Sequence, residues 1–127
     1  MKSIALIASW HFMKKDNKYY CPSMHYVYVR FVVTMYDKVY LIAPVEYVNE
    51  IPHDRTLTSF DNFEVIEIPN YSGYLEGVKY KKYYKTAIVE LEKKVDVFYC
   101  RVPGPFSWMP ALYTSKSVIM HFVGDIL

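Results

Sequence analysis

Five short apolar runs, separated by longer polar or amphipathic segments, set the pattern of the chain. The runs cover residues 4–8, 39–43, 63–68, 95–100 and 118–122. Four of them are almost continuously apolar, which is typical of strands buried on both faces of a parallel sheet. Residues 63–68 instead alternate between apolar and polar side chains, and this predicts a strand with one more solvent-exposed face near a sheet edge. The pattern therefore predicts five strands.

Helical spacing fills most of the gaps between these runs. Residues 24–35 follow the start signal Pro22-Ser23 and are apolar on both faces, which predicts a helix sandwiched between two layers. Residues 74–94 predict a second helix, and 107–113 predict a short third one. The inward positions predicted for the second helix are Val78, Tyr84, Ala87, Ile88 and Leu91.

Two stretches are predicted to be irregular. Residues 14–18 form a polar segment after the first strand, and residues 45–62 carry Pro52, Asp54 and Asp61, which break any long period. The second strand is expected to close at Pro44, because proline cannot donate to a strand ladder.

Alternating strands and helices predict an α/β fold of the Rossmann-like, doubly wound kind, with a mainly parallel sheet of about five strands. A chain of 127 residues suits one domain. The first βα loop holds no glycine, which excludes a GxGxxG fingerprint, and no GxxxxGK[ST] loop is present. Residues 124–127 begin a new loop after a core strand, and we expect the domain to be a fragment or one half of a two-part protein.

Composition excludes several classes of protein. A formal net charge of +2 is too small to imply nucleic-acid binding. Cys21 and Cys100 lack metal-ligand spacing and are expected to be free thiols in the cytoplasm. No apolar run approaches the roughly 18 residues of a membrane span, and the first apolar run is too short for a signal peptide.

Arg101 is the first candidate for function. It closes the apolar run at 95–100 and is followed at once by Pro103-Gly104-Pro105, which limits backbone freedom. In open α/β sheets, ligands bind beyond the carboxyl ends of the strands. A guanidinium there suits an oxyanion, and the alternative is a structural ion pair with a neighbouring carboxylate.

Four segments in order carry a family resemblance: ASWHF at 8–12, YYCPSMHY at 19–26, DVFYCRVPGPFSW at 96–108 and VIMHFVGD at 118–125. Together they resemble the N-terminal domain of GT-B glycosyltransferases, most of all family 4. The resemblance covers essentially the whole chain. It implies one half of a GT-B architecture that binds a sugar or glycolipid acceptor. A C-terminal domain would bind the nucleotide-sugar donor, with retention of configuration and with no metal or other cofactor.

The chain departs from the family at two places. The family often has a glycine pair after the first strand, where this chain has Asp16-Asn17-Lys18; asparagine tolerates left-handed backbone angles and is expected to keep the turn. The donor motif of two glutamates separated by seven residues is absent. Residues 1–127 are therefore expected to be inactive alone. They would be either a domain of a longer enzyme or a stand-alone subunit that pairs with a donor-binding chain, and a flavodoxin-like binding module is the remaining alternative.

Several residues are candidates for the acceptor cleft, from strand ends or from the resembling segments. They are His11, Asn17, Tyr20, Arg101, Gly104, Gly124 and Asp125. His11 and His121 are read either as bases or hydroxyl partners or as buried packing residues. Asp125 would bind acceptor hydroxyls or cap a following helix.

Two sets of surface residues suggest binding partners. The lysines at positions 79, 81, 82 and 85 form either a solvated face or a contact with an anionic membrane surface. An unpaired domain is expected to expose Trp10, Phe12, Phe106 and Trp108 and to form a homodimer through them.

Overall fold

A computed structural model of the chain describes residues 2–7, 11–71, 76, 79–102, 114 and 116–122, with the backbone alone at 101, 102 and 120–122. The described strands are β1 (Ser3–Ile7), β2 (Phe12–Lys15), β3 (Lys18–Pro22), β4 (Lys38–Tyr47), β5 (Arg55–Leu57), β6 (Phe63–Pro69), β7 (Val97–Val102) and β8 (Ser117–Phe122). The described helices are α1 (Ser23–Met35) and α2 (Lys81–Glu92). Neither helix has the length and apolar character needed to cross a membrane.

Five of the strands form the parallel centre of one mixed sheet. Strand β1 pairs with β4 on one side and β7 on the other, β6 adds beyond β4, and β8 adds beyond β7. The order β6-β4-β1-β7-β8 is the 3-2-1-4-5 order of doubly wound sheets. These strands coincide with the five apolar runs, so the predicted α/β class is confirmed. Among the described strands β6 pairs only with β4, which confirms its predicted edge position.

The two helices cover opposite faces of this sheet. Val32 of α1 packs with Leu41 and Phe12 on one face. On the other face, α2 packs against Ala5 and Phe98. Four of the predicted inward positions of α2 are buried: Tyr84, Ala87, Ile88 and Leu91. Val78 lies outside the described residues, and α2 begins only at Lys81, because residues 79 and 80 form a turn.

Helix α1 is not sandwiched between two layers, so that prediction was wrong. Val29 and Val32 are buried against the sheet. Four apolar side chains on the other side are 57–82% exposed: Met24, Val27, Phe31 and Met35. We call these four residues the α1 stripe. Periodicity reports which faces of a helix are apolar, but it does not report which of them finds a partner.

The predicted polar loop at 14–18 is a β-hairpin instead. Strands β2 and β3 pair antiparallel and close at Lys15 opposite Lys18. Between them Asp16 and Asn17 have φ angles of 52° and 64°. Two left-handed residues make the tight turn that matches the twist of paired strands. The expectation that Asn17 keeps a left-handed turn is therefore confirmed.

The stretch at 45–62 is more regular than predicted. Strand β4 runs on to Tyr47, and β5 pairs antiparallel with β3. Pairing with β1 ends at Ile42, and pairing with β2 begins at Val45. Pro44 lies between these two pairings, so its missing N–H falls at an interruption of the ladder, and the strand continues through it. As a result β1 and β2 lie end to end along one edge of β4.

This arrangement also buries Phe12. Its side chain is fully inaccessible, because β2 is an inner strand between β3 and β4. The prediction that Phe12 belongs to an exposed face was wrong. Trp10, Phe106 and Trp108, which were predicted to share that face, lie outside the described residues.

The hairpin turn gives a test of the backbone geometry. Asn17→Val should lower the free energy of unfolding by about 1–2 kcal/mol, because a β-branched residue resists a positive φ. Asn17→Gly should leave stability equal or higher, since glycine adopts this angle freely. Urea unfolding of both variants measures this. Lys18→Val, at the adjacent strand position, is the control, and an equal loss there would contradict the explanation.

Candidate functional site

Three side chains converge on the carboxylate of Glu67 near the carboxyl ends of β4 and β6. The Lys14 ammonium donates to Glu67 Oε2 at 2.9 Å, and the Tyr47 hydroxyl donates to Glu67 Oε1 at 2.5 Å. The Tyr19 hydroxyl also donates to Oε2. We call Lys14, Tyr19, Tyr47 and Glu67 the Glu67 cluster. It joins residues of four strands, and Lys14 and Glu67 are 53 positions apart in the sequence.

The period of the strands explains why these residues meet. Phe12, Val45 and Val65 belong to one hydrophobic cluster on the α1 face of the sheet. Side chains two residues apart in a strand share a face. Lys14, Tyr47 and Glu67 each come two residues after one of these core positions. Because β2, β4 and β6 are parallel, all three emerge from the core at the same end of the sheet.

Glu67 and Lys14 are both charged in the cluster. Burial alone would raise the pKa of Glu67, but hydrogen bonds from Tyr19, Tyr47 and Lys14 outweigh it and hold that pKa below the usual value. The hydrogen bond to Glu67 raises the pKa of Lys14. The Lys14 ammonium also lies 4.9 Å from the ring centroid of Tyr19 and 5.3 Å from that of Tyr47. Both charges are therefore paired at neutral pH.

A recess of about 370 Å³ lies beside this cluster, between the β2–β3 hairpin and the end of β4. Its wall includes Lys14, Lys15, Asp16, Asn17, Tyr47 and Asn49. We call it the hairpin recess. Lys14 and Tyr47 belong to both the recess and the Glu67 cluster, so a ligand in the recess would meet side chains that the cluster already holds in place. Asn17, a predicted cleft residue, lies in its wall.

His11 lies at a second polar group near the same end of the sheet. Its Nδ1 is 2.5 Å from Asn70 Oδ1, and its ring is 5.4 Å from the ring of Tyr71. Arg55 Nη1 donates to the His11 carbonyl at 2.8 Å, while Arg55 Nε is 4.0 Å from the Asp54 carboxylate. His11 is thus half-buried and hydrogen-bonded. It belongs to the opposite face from the Glu67 cluster, since Tyr71 packs in the core beside α2.

The other predicted cleft residues are placed less fully. Tyr20 lies half-buried on β3, paired with Met13 and Leu57, and does not belong to the Glu67 cluster. Arg101 is the penultimate residue of β7, as expected for a strand end, and its backbone pairs with His121 of β8. Gly104, Gly124 and Asp125 lie outside the described residues.

Sequence reasoning missed the whole Glu67 cluster. Lys14 and Tyr47 fell in stretches predicted to be irregular, and Glu67 was interpreted only as the wetter side of an edge strand. One signal in the sequence could have indicated the cluster. On successive parallel strands, an ionisable or phenolic residue comes two positions after a buried residue. That signal needs the strand pairing, which places residues from distant parts of the chain side by side.

Both cysteines are free thiols, as predicted, and the structure shows that both are buried. Burial raises the pKa of Cys100 to about 12 and also raises that of Cys21. A thiol that stays protonated at neutral pH is a poor nucleophile. We therefore assign both cysteines to the core.

Comparison with protein-family models, with curated proteins and with solved structures found no match to this chain. Within the ranges that the structure describes, no three side chains of His, Cys, Asp and Glu are grouped so as to hold a metal ion. The fold and the two polar groups at the strand ends are therefore the features that bear on function.

The Glu67 cluster predicts a pH-dependent stability. Glu67→Gln should lower the free energy of unfolding by about 1.5–3 kcal/mol at neutral pH, the usual scale for hydrogen bonds to a charged group. Because the pKa of Glu67 is lowered and that of Lys14 is raised, this loss should be full between pH 4.5 and 10.5, their usual values. It should shrink as the pH falls below 4.5 through the lowered pKa of Glu67.

Glu64→Gln is the matched control on the same strand. Glu64 lies 3.5 Å from Lys38, but its side chain is 52% exposed, so its loss should stay within about 0.5 kcal/mol. Urea unfolding from pH 3 to pH 9 measures both variants. Equal losses, or a loss in Glu67→Gln that does not change with pH, would contradict a charge-stabilised cluster.

Proposed function

We propose that this chain is the acceptor-binding domain of a glycosyltransferase, a Rossmann-like half of a GT-B architecture. The parallel strand order β6-β4-β1-β7-β8 supports the proposal, since such sheets bind ligands beyond the carboxyl ends of their strands. The resemblance of four sequence segments to this family also supports it. On this proposal the nucleotide-sugar donor is bound by a second domain or chain.

The observation that carries the proposal is the Glu67 cluster beside the hairpin recess. A sugar presents hydroxyl groups that need hydrogen-bond partners, and apolar ring faces that pack on aromatic side chains. Tyr47, Asn17 and Asn49 offer a ring and two amides in one recess. Hydrogen bonds to Glu67 fix Tyr47 and Lys14 before any ligand arrives, which is the preorganisation that a binding site needs.

On this proposal the chain positions the acceptor and excludes molecules that do not fit the acceptor site, while the donor-binding domain or chain supplies the sugar. Retention of configuration and independence from metal are carried over from the family resemblance. The buried free thiols suit a reducing compartment, so we place the enzyme in the cytoplasm.

A second candidate is a stand-alone binding subunit that pairs with a separate donor-binding chain. The α1 stripe favours it, because four large apolar side chains in a row on one exposed helix face mark an interaction surface. In either case the chain contributes an acceptor site and not the complete reaction.

We expect the 127-residue chain alone to consume no nucleotide sugar. The protein that contains it, whether through a continuing reading frame or a partner chain, should transfer sugar to an acceptor. Release of nucleoside diphosphate from a panel of nucleotide sugars, measured with both preparations, tests this. Turnover by the 127-residue chain alone would overturn the division of roles.

Arg101 gives a second test in the complete enzyme. Arg101→Ala should lower transfer by about 10²-fold, the scale of one lost charge-stabilising group, while the melting temperature stays nearly unchanged. The control is Arg30→Ala, since Arg30 is an exposed residue of α1. If Arg101→Ala unfolds the domain while surviving protein keeps its activity, Arg101 belongs to a structural ion pair.

A further inference from the structure

Two lysines of the β2–β3 hairpin, Lys15 and Lys18, form no ion pair among the described residues. Lys15 and Lys18 lie directly opposite each other at the closing pair of the hairpin. Like charges in this position destabilise a strand pair. In the described part of the chain, the ion pairs are Lys14 with Glu67, Lys38 with Glu64 and Arg55 with Asp54, so neither lysine takes part in one.

Glu67 does not relieve this charge. Its Oε2 already accepts from Lys14 and Tyr19, and its Oε1 accepts from Tyr47. The remaining carboxylate in the hairpin is Asp16, which is exposed in the turn. The hairpin thus keeps a surplus of ammonium groups after its internal pairing is complete.

The two lysines differ in where they lie. Lys15 is half-buried and forms part of the wall of the hairpin recess, together with Asn17, Tyr47, Asn49 and the exposed Asp16. Lys18 is exposed and lines a separate recess beside Tyr19. A volume of about 370 Å³ falls in the range of small-molecule sites. The recess therefore combines a lysine that forms no ion pair among the described residues with two amides, a phenol ring and the carboxylate of the exposed turn residue Asp16.

We propose that the hairpin recess binds the anionic group, a phosphoryl or a carboxylate, of a sugar-type ligand. Lys15 supplies the charge, Asn17 and Asn49 donate hydrogen bonds, and Tyr47 packs against the ring of the ligand. Charge-assisted hydrogen bonds of this kind are the stronger ones in proteins. The inference rests on the proposed function and deepens it, because it makes the acceptor a phosphorylated or acidic sugar.

Nuclear magnetic resonance of the ¹⁵N-labelled chain tests the inference directly. The probes are glucose 6-phosphate, glucuronate and neutral glucose, each titrated at low salt. We expect saturable shifts at the amides of residues 14–18 and 47–49 with at least one anion, and at least tenfold weaker binding of glucose. The tighter anion identifies the group as phosphoryl or carboxylate. Equal affinity for glucose, or no saturable shift with either anion at tens of millimolar, would overturn the proposal.

Two lysine variants separate a site from diffuse charge. Lys15→Gln should weaken anion binding at least tenfold, whereas Lys18→Gln, with the same change in net charge on the same hairpin, should weaken it by less than twofold. Lys15→Arg should retain binding, which guards against a folding effect, and the same spectra report the fold. Equal weakening by Lys15→Gln and Lys18→Gln would show attraction to the hairpin as a whole and contradict the recess.

The two proposals fail differently. Anion binding in the recess without sugar transfer by the complete protein would refute the glycosyltransferase and leave the anion site standing. Sugar transfer to a neutral acceptor, with no anion binding in the recess, would do the reverse.

Discussion

The structure depends on the pairing of β4 along both of its edges. Residues 41–45 of this strand are buried, so their backbone N–H and C=O groups have no access to water and need partners in neighbouring strands. Strand β6 supplies them on one edge. On the other edge β1 is too short for the task, and β2 continues the pairing beyond Ile42. Because the long buried strand β4 needs hydrogen-bond partners along its whole edge, the two short strands β1 and β2 lie end to end beside it.

That arrangement shapes the site. Because β2 lies against the carboxyl half of β4, the chain turns back as the β2–β3 hairpin, still within the sheet, before it reaches α1. The hairpin brings Lys14 and Tyr19 to the strand end where Tyr47 and Glu67 emerge. In an ordinary βα unit this edge would carry a short loop. Here it carries a walled recess.

The lysines of the hairpin differ in their ion pairing. Lys14 is committed to Glu67 and stabilises the folded state. Lys15 has no such carboxylate among the described residues, although it lies in the wall of the recess. On our proposal, this lysine at the strand end is the feature that would bind an anionic ligand. The α1 stripe lies on helix α1 and is a separate surface from the recess.

The sequence by itself determined the five parallel strands, the inward face of α2 and the left-handed turn at Asn17. Each follows from local chemistry: continuous apolar runs, helical spacing, and a residue that tolerates positive φ. It also placed Arg101 at the end of β7 and His11 near the end of β1. Only the tertiary structure decided that residues 14–18 form strands, because β2 gains its conformation from β4 and not from its own polar side chains. It also decided which face of α1 stays exposed, and it assembled the Glu67 cluster from four strands, since such a site exists only once distant residues are paired in register.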